Sequence, residues 1–244
     1  MSYNEFLKSK ILTHKPSGFD CEPSNQYAFD FQRDIVKWNL KKGKSANFMD
    51  TGLGKTITQL MFADEIHKQE KGDILILAPL AVSRQTIREG EKFGIKVNPC
   101  RSQIDVKSGI NITNYEMLHH FDVNKFIGII LDESSIIKSF TGKTTQELLD
   151  LFKHTPYKLA NTATPAPNDY EELGNHSEFL GIMSRTEMLA TFFVHDGGDT
   201  SKWRLKGHAE KEFWKWIASW AMVVKNPSDL GYDGSKYVLP KLNT

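Results

Sequence analysis

Short apolar runs separated by amphipathic stretches recur along the middle of the 244-residue chain. Continuous runs of this length are typical of strands buried on both faces of a parallel sheet, and the amphipathic stretches are typical of helices packed on such a sheet. The runs that predict strands cover residues 45–49, 73–78, 95–100, 109–113, 126–131 and 157–161. Strands that alternate with helices indicate an α/β fold with a mostly parallel central sheet and right-handed crossovers.

The spacing of apolar residues predicts the helices. Phe31 and Ile35 share one face of a helix that ends near Gly43. The pattern predicts a second helix over residues 80–93, with Ser83 as its opening residue and Gly94 closing it. The pattern predicts further helices over residues 57–69, 169–180, 183–193 and 208–224, and a hairpin over residues 194–205. The last helix is rich in aromatic residues at helical spacing, namely Phe213, Trp216 and Trp220. Bases could stack on such residues, but we favour a role in the core.

Composition narrows the class of protein. Hydrophobic residues make up 39% of the chain and charged residues 25%, and the net charge is +1. These values are ordinary for a globular protein and exclude an overall basic field, so contacts with nucleic acid must come from local patches. The two cysteines, Cys21 and Cys100, have no metal-like spacing, and no apolar run is long enough to span a membrane. We therefore expect a cytoplasmic protein without membrane contact.

The first predicted strand runs into the sequence Met-Asp-Thr-Gly-Leu-Gly-Lys-Thr, residues 49–56, which precedes a helix. A glycine-rich loop in this position points backbone N–H groups at phosphate oxygens, and the helix N-terminus adds partial positive charge. The loop predicts phosphate contacts from Thr51, Gly52, Leu53, Gly54, Lys55 and Thr56. Lys55 would reach the terminal phosphates and Thr56 would ligate Mg²⁺. The usual first glycine is replaced by Met49, and a plain glycine turn before a helix is the alternative interpretation.

A second candidate site follows the apolar strand at residues 126–131. Asp132 is placed to hold Mg²⁺, and Glu133 is placed to take a proton from an attacking water. The same pair could instead cap the helix that follows. Upstream, the amide of Gln32 could both donate to and accept from an adenine edge, although a surface glutamine on an amphipathic helix would look the same.

A further strand leads into Thr162-Ala163-Thr164-Pro165, and the whole order of segments resembles one family. The chain is similar to the first RecA-like motor domain of DEAD/DEAH-type superfamily-two helicases and translocases, nearest the Swi/Snf branch and its phage and prophage members. Residues 31–32 resemble the Q motif and residues 50–56 resemble Walker A. The remaining segments resemble motifs Ia, Ib, II and III at residues 78–80, 113–116, 132–135 and 162–165. Ser134-Ser135 departs from the Ala-His or Ala-Asp of many members.

The resemblance implies a role for each matching residue. Gln32 would recognise adenine, Glu133 would be the general base, and Lys55 and Asp132 would complete the catalytic set. Thr162 and Thr164 would couple hydrolysis to movement. The residues implied to lie near a nucleic-acid backbone are Ser83, Arg84, Thr113 and Asn114. Ser, Thr and Asn also favour caps and turns, so that alternative stays open for this group.

The resemblance also implies ATP and Mg²⁺ as cofactors, and nucleic acid as a partner, with DNA favoured over RNA. We divide the chain into an N-terminal segment (1–28), a RecA-like domain (29–182) and an extension (183–244) that leads toward a second RecA-like domain in cis or in trans. Because that second domain would supply the arginine finger, we expect the chain alone to hydrolyse ATP slowly or not at all. The alternative is a non-catalytic, nucleotide-gated module that binds DNA or protein.

Overall fold

A seven-stranded parallel sheet lies at the centre of the computed structural model, which describes residues 15–196 and 199–237. The sequence of the N-terminal segment (1–28) predicts a short helix followed by a loop, and residues 1–14 of that segment lie outside the described residues. The strands are β1 (Lys44–Met49), β2 (Asp73–Leu77), β3 (Val97–Pro99), β4 (Ile110–Thr113), β5 (Phe126–Asp132), β6 (Tyr157–Thr162) and β9 (Ala221–Val224). Their order in the sheet is β3-β4-β2-β5-β6-β1-β9, and every neighbouring pair is parallel. The expectation of a mostly parallel sheet is confirmed.

Helices cover both faces of this sheet, because alternate strand residues point to opposite sides. In β2, Ile74 and Ile76 belong to one core cluster, whereas Leu75 and Leu77 belong to the other. The helices are α1 (Asp30–Lys42), α2 (Lys55–Glu70), α3 (Leu80–Phe93), α4 (Lys143–Leu151), α5 (Leu173–Leu180), α6 (Arg185–Phe192) and α7 (Glu210–Ala218). Residues of α1 and α2 pack in the first cluster, and residues of α4 to α7 pack in the second. None of the described helices is long and apolar enough to cross a membrane.

The aromatic residues of α7 and the turn after it lie in the second cluster. Phe213, Trp216 and Trp220 have no exposed surface, and the rings of Trp216 and Trp220 are 5.4 Å apart. Trp220 also meets Phe48 of β1 edge-on at 6.0 Å. The interpretation of these residues as core is therefore confirmed, and α7 is fixed to the sheet by aromatic packing.

The predicted helix over residues 208–224 is wrong in its last part. The helix ends at Ala218, and Ala221–Val224 forms β9, which pairs with β1 at the edge of the sheet. The apolar spacing of Trp216 and Trp220 continues the helical pattern in the sequence, but β1 offers an unpaired strand edge that residues 221–224 fill. The free energy of that pairing comes from residues far away in the chain, so a local pattern could not reveal it.

The segment after β9 packs back on α1. Tyr232 and Tyr237 lie against Phe31, with ring centroids 6.3 and 5.9 Å away, and Leu53 of the glycine-rich loop belongs to the same cluster. The division at residue 182 stays a prediction, but the sheet draws strands from both sides of it.

The predicted hairpin is present as an antiparallel pair, β7 (Phe193–Asp196) and β8 (Asp199–Leu205). Its predicted turn, residues 197–198, lies outside the described residues.

Candidate functional site

The carboxyl ends of the parallel strands bring all the predicted motifs to one edge of the sheet. The glycine-rich loop follows β1, and β5 ends in Asp132. Thr162 ends β6, and Thr113 ends β4. The β5–β6 register places Asp132 beside Asn161, and the β1–β6 register places Phe48 beside Thr162. Segments that are far apart in the sequence therefore form one continuous surface.

The glycine-rich loop needs both of its glycines. Gly52 and Gly54 have φ angles of +82° and +84°, which other residues rarely adopt. A Cβ on Gly54 would lie 2.2 Å from Nε2 of Gln32, so its lack of a side chain is also a packing requirement. Met49, which stands where the usual pattern has a glycine, is fully buried. Its side chain packs in the core beneath the loop, and the loop conformation depends on the two later glycines.

Lys55 and Thr56 open helix α2 directly after the loop. The Lys55 ammonium donates hydrogen bonds to the backbone carbonyls of Met49 at 3.1 Å and Asp50 at 3.3 Å. It is thus folded back across the mouth of the loop, within reach of any group that the loop binds. Thr51 and Gly52 are exposed at the same mouth, and Leu53 is buried under it.

Gln32 connects helix α1 to the loop and is only 4% exposed. Its amide oxygen accepts from the backbone N–H of Phe29 at 2.9 Å, and its amide nitrogen donates to the carbonyl of Leu53 at 3.0 Å. One N–H and one lone pair of the amide are left over for another partner. Adenine recognition by Gln32 stays a prediction, but the contact with Leu53 gives it a clear role in supporting the loop.

Asp132 is held from two sides at the end of β5. Its carboxylate accepts from the Gln59 amide at 2.9 Å and from the backbone N–H of Glu133 at 3.1 Å, and its own carbonyl accepts from the Tyr115 hydroxyl at 2.7 Å. Burial raises the pKa of the Asp132 carboxyl above its usual value, while the bond from Gln59 and the charge of Lys55 oppose that rise. A buried carboxylate with fixed geometry is suited to hold a divalent cation.

Glu133 has an unusual backbone conformation, with φ 54° and ψ 55°. A left-handed conformation costs a residue with a side chain about 1 kcal/mol or more, and such strain is concentrated at functional sites. The turn leaves the Glu133 side chain half-exposed, next to Thr162, whose hydroxyl lies 3.5 Å from the carboxylate. The Thr162 hydroxyl also accepts from the backbone N–H of Thr164 at 3.1 Å. Motif II therefore meets motif III through Glu133 and Thr162.

The oxygen atoms of Thr56 and Asp132 suit Mg²⁺, which prefers oxygen ligands and keeps several waters or phosphate oxygens. Among the described residues no group of three or more His, Cys, Asp or Glu side chains could hold a metal ion by itself. The donor set therefore fits a cation that is bound together with phosphates rather than one enclosed by protein alone.

Ser134, which departs from the residue found in many family members, contacts a histidine of another segment. The Ser134 hydroxyl lies 3.1 Å from Nε2 of His176 in helix α5, and both residues are fully buried. Phe48 of β1 meets the His176 ring edge-on at 5.3 Å. Burial lowers the pKa of His176 to about 4, so the imidazole is neutral near pH 7. Motif II is thus tied to the segment after motif III by a serine–histidine contact.

The four residues implied to contact nucleic acid line one groove of about 690 Å³ beside the β4 and β2 ends. The predicted helix over residues 80–93 is confirmed as α3, which begins at Leu80 after Pro79. The opening role predicted for Ser83 is wrong, because Ser83 lies in the first turn and donates to the Pro79 carbonyl. Asn114 caps the short helix that follows it by accepting from the N–H of Met117. Thr113 is only 4% exposed. Arg84 is exposed and can reach into the groove.

Three residues of the site were missed by reasoning from the sequence. Gln59 and Asn161 are fully buried and hydrogen-bonded to each other at 2.8 Å beside Asp132. The available signal was Gln59 itself, which stands among the mostly apolar residues 57–63 of α2, because buried amides require partners. Arg101 lines the same groove as Arg84, and nothing in the local sequence indicates that.

The family model of the SNF2-related domain matches residues 31–193, more than half of the 244-residue chain. The chain belongs to the SNF2-related domain family. The match begins just before Gln32 and includes the loop, Asp132-Glu133 and Thr164. No curated protein matches the sequence.

Solved structures similar to this SNF2-related domain show the same RecA-like fold. The Sulfolobus solfataricus SWI2/SNF2 ATPase core domain is 22% identical over 92% of this chain and 50% of that one, with a TM-score of 0.68. The core in complex with dsDNA is 22% identical over 83% of this chain and 46% of that one, with a TM-score of 0.66. The UvsW helicase from bacteriophage T4 is 16% identical over 75% of this chain and 64% of that one, with a TM-score of 0.52. This chain therefore spans about half the length of the Sulfolobus cores.

Proposed function

We propose that this SNF2-related domain is the ATP-binding and ATP-hydrolysing half of a DNA helicase or translocase motor, completed by a second RecA-like domain in cis or in trans. One observation carries the proposal. The glycine-rich loop that leads to Lys55 and Thr56 follows β1, the Asp132–Glu133 pair lies at the end of β5 in the same parallel sheet, and the buried Gln59 is hydrogen-bonded to Asp132. Phosphoryl transfer depends mainly on positioning and on charge stabilisation, and this edge supplies both.

Each residue has a distinct task in this proposal. The Lys55 ammonium moves from the Met49 and Asp50 carbonyls to the terminal phosphates of ATP, and the N–H groups of residues 51–56 surround the phosphate chain. Glu133 accepts the proton of the attacking water. The Thr162 hydroxyl contacts both the Glu133 carboxylate and the backbone N–H of Thr164, and so couples Glu133 to Thr164. Mg²⁺, held by Thr56 and Asp132, would neutralise charge on the phosphate oxygens.

The groove beside Arg84 and Arg101 is the proposed track for nucleic acid. Arginines and hydroxyl side chains contact phosphates without reading sequence, which suits a motor that moves along its substrate. The dsDNA complex of the Sulfolobus core supports DNA over RNA. The function implies a cytoplasmic setting, in a bacterial or phage-infected cell.

Phosphate release from ATP tests the proposal, measured for the 244-residue chain with and without single-stranded and duplex DNA. We expect Mg²⁺-ATP binding with slow release, and stimulation by the DNA form that is the track if a partner completes the site. A chain that binds no ATP at millimolar concentration would contradict the proposal.

A further inference from the structure

A line of buried amide side chains runs beneath helices α1 and α2 toward Asp132. Ser45 donates to Asn39 at 3.0 Å, and Asn39 donates to Asn47 at 3.0 Å. On the other side of the β1–β6 boundary, Asn161 donates to Gln59 at 2.8 Å, and Gln59 donates to Asp132 at 2.9 Å. All of these side chains except that of Asp132 have no exposed surface.

The two halves of the line meet at a pair of complementary atoms. Among the described residues, Nδ2 of Asn47 and Oδ1 of Asn161 are buried without a hydrogen-bond partner. The first is a donor and the second an acceptor, and the two residues are register partners on the neighbouring parallel strands β1 and β6. In-register residues of parallel strands point to the same face, and their strands lie about 4.8 Å apart.

We propose that Asn47 donates to Asn161 and so completes a series of hydrogen bonds that runs from Ser45 to Asp132, with every donor on the Ser45 side of its bond. This series positions the Asp132 carboxylate for Mg²⁺-ATP. The inference rests on the proposed function, because it takes Asp132 as the ligand of the cation. Gln59, Asn161 and Asn47 are positioning residues in this scheme, since they act through Asp132.

The common direction of these hydrogen bonds supports their role in positioning Asp132. Every amide uses its N–H group toward Asp132 and its oxygen toward Ser45, so each bond polarises the next, and the last donor meets a carboxylate. Asn161 also fixes which end of the Gln59 amide faces Asp132, because it donates to the Gln59 oxygen. A rotated Gln59 would turn its oxygen toward the carboxylate and repel it.

The test is the affinity for N-methylanthraniloyl-ATP, a fluorescent ATP, measured with Mg²⁺ and again with EDTA. Gln59→Met keeps the side-chain volume but removes the donor, and we expect the gain in affinity from Mg²⁺ to fall about tenfold, as for loss of a hydrogen bond to a charged group. Asn161→Leu and Asn47→Leu should lower the gain by successively smaller factors, of about fivefold and twofold, since they act through Gln59. Affinity in EDTA should stay unchanged.

Asn111→Leu is the matched control, because Asn111 is also a fully buried amide on a strand. Its hydrogen bonds go to Asn98, Cys100, Lys107 and Gly109, none of which belongs to the hydrogen-bonded series from Ser45 to Asp132. We expect it to lower the melting temperature and to keep the full gain from Mg²⁺. A Gln59→Met protein that folds and keeps the full gain would overturn the inference. A wild-type chain whose ATP affinity does not respond to Mg²⁺ would instead contradict the proposed function.

Side-chain amide NMR of the wild-type chain covers the case in which a variant fails to fold. Addition of Mg²⁺-ATP should shift the NH₂ signals of Gln59, Asn161 and Asn47 and leave that of Asn111 in place. Unshifted signals from Asn161 and Asn47 under saturating Mg²⁺-ATP would also overturn the inference.

Discussion

The site around the glycine-rich loop and Asp132, here called the ATP edge after its proposed ligand, lies beside the groove that is proposed to bind nucleic acid, but the two are built in different ways. At the ATP edge, Asp132 is buried and bonded to Gln59, and Gly54 fits against Gln32 with no room for a side chain. In the groove, Arg84 is exposed and Leu80 is 71% exposed on the first turn of α3. Reacting atoms need fixed geometry, whereas a track that is gripped and released needs side chains that can move. The proposed chemical site is therefore rigid, and the proposed track is exposed.

The largest effect that this comparison predicts is at Glu133. Glu133→Gln removes the base but keeps the side-chain shape, so hydrolysis should fall about 10²- to 10⁴-fold while ATP affinity is retained. Phosphate release and nucleotide binding, measured on the same samples with DNA present, check this. Turnover that survives the substitution would exclude Glu133 as the base.

Lys55→Ala tests the other half of the ATP edge. The ammonium makes charge-assisted hydrogen bonds, and its loss should weaken ATP binding about a hundredfold, without lowering the melting temperature much, because Lys55 is half-exposed. Calorimetric titration measures this. Unchanged affinity would mean that phosphates bind elsewhere.

Lowering the pH should reduce the free energy of unfolding through His176, the residue that contacts Ser134 of motif II. The folded-state pKa of His176 is lowered to about 4 by burial, so between that value and its usual 6.5 the unfolded chain binds a proton that the folded chain does not. Its contribution to stability is therefore complete at neutral pH and is lost as the pH falls, by about 2 kcal/mol between pH 7 and pH 5. His176→Gln should show a flatter dependence of unfolding free energy on pH over that range. An equal slope in both proteins would remove His176 as the cause.

The smallest predicted effect is in the groove. Arg84→Ala should weaken DNA binding several-fold for all sequences alike and reduce the slope of log affinity against log salt by roughly 0.9 for duplex DNA. ATP binding without DNA should not change. Glu147→Ala, an exchange of a charged residue on α4 outside both regions, serves as the control. A salt slope that Arg84→Ala leaves intact would place the track elsewhere.

The sequence predicts some features of the fold and of the ATP edge but not others. The buried strands and the glycine-rich loop carry local signatures, namely continuous apolar runs and glycines where φ is positive, so their places could be predicted. The bond between Gln59 and Asp132, the contact of Ser134 with His176 and the pairing of β9 with β1 join distant segments, and no local pattern encodes such pairs. The strained φ of Glu133 is likewise invisible, because glutamate is not a residue that predicts a left-handed turn.

Calorimetric titration of the 244-residue chain with ATP, in the presence of Mg²⁺ and beside a parallel titration with GTP, would show whether the glycine-rich loop binds ATP. We expect saturable binding of one ATP that Lys55→Ala abolishes or weakens about a hundredfold, with GTP binding more weakly. Absence of ATP binding, or ATP binding that Lys55→Ala leaves unchanged, would contradict the proposal that this loop binds ATP.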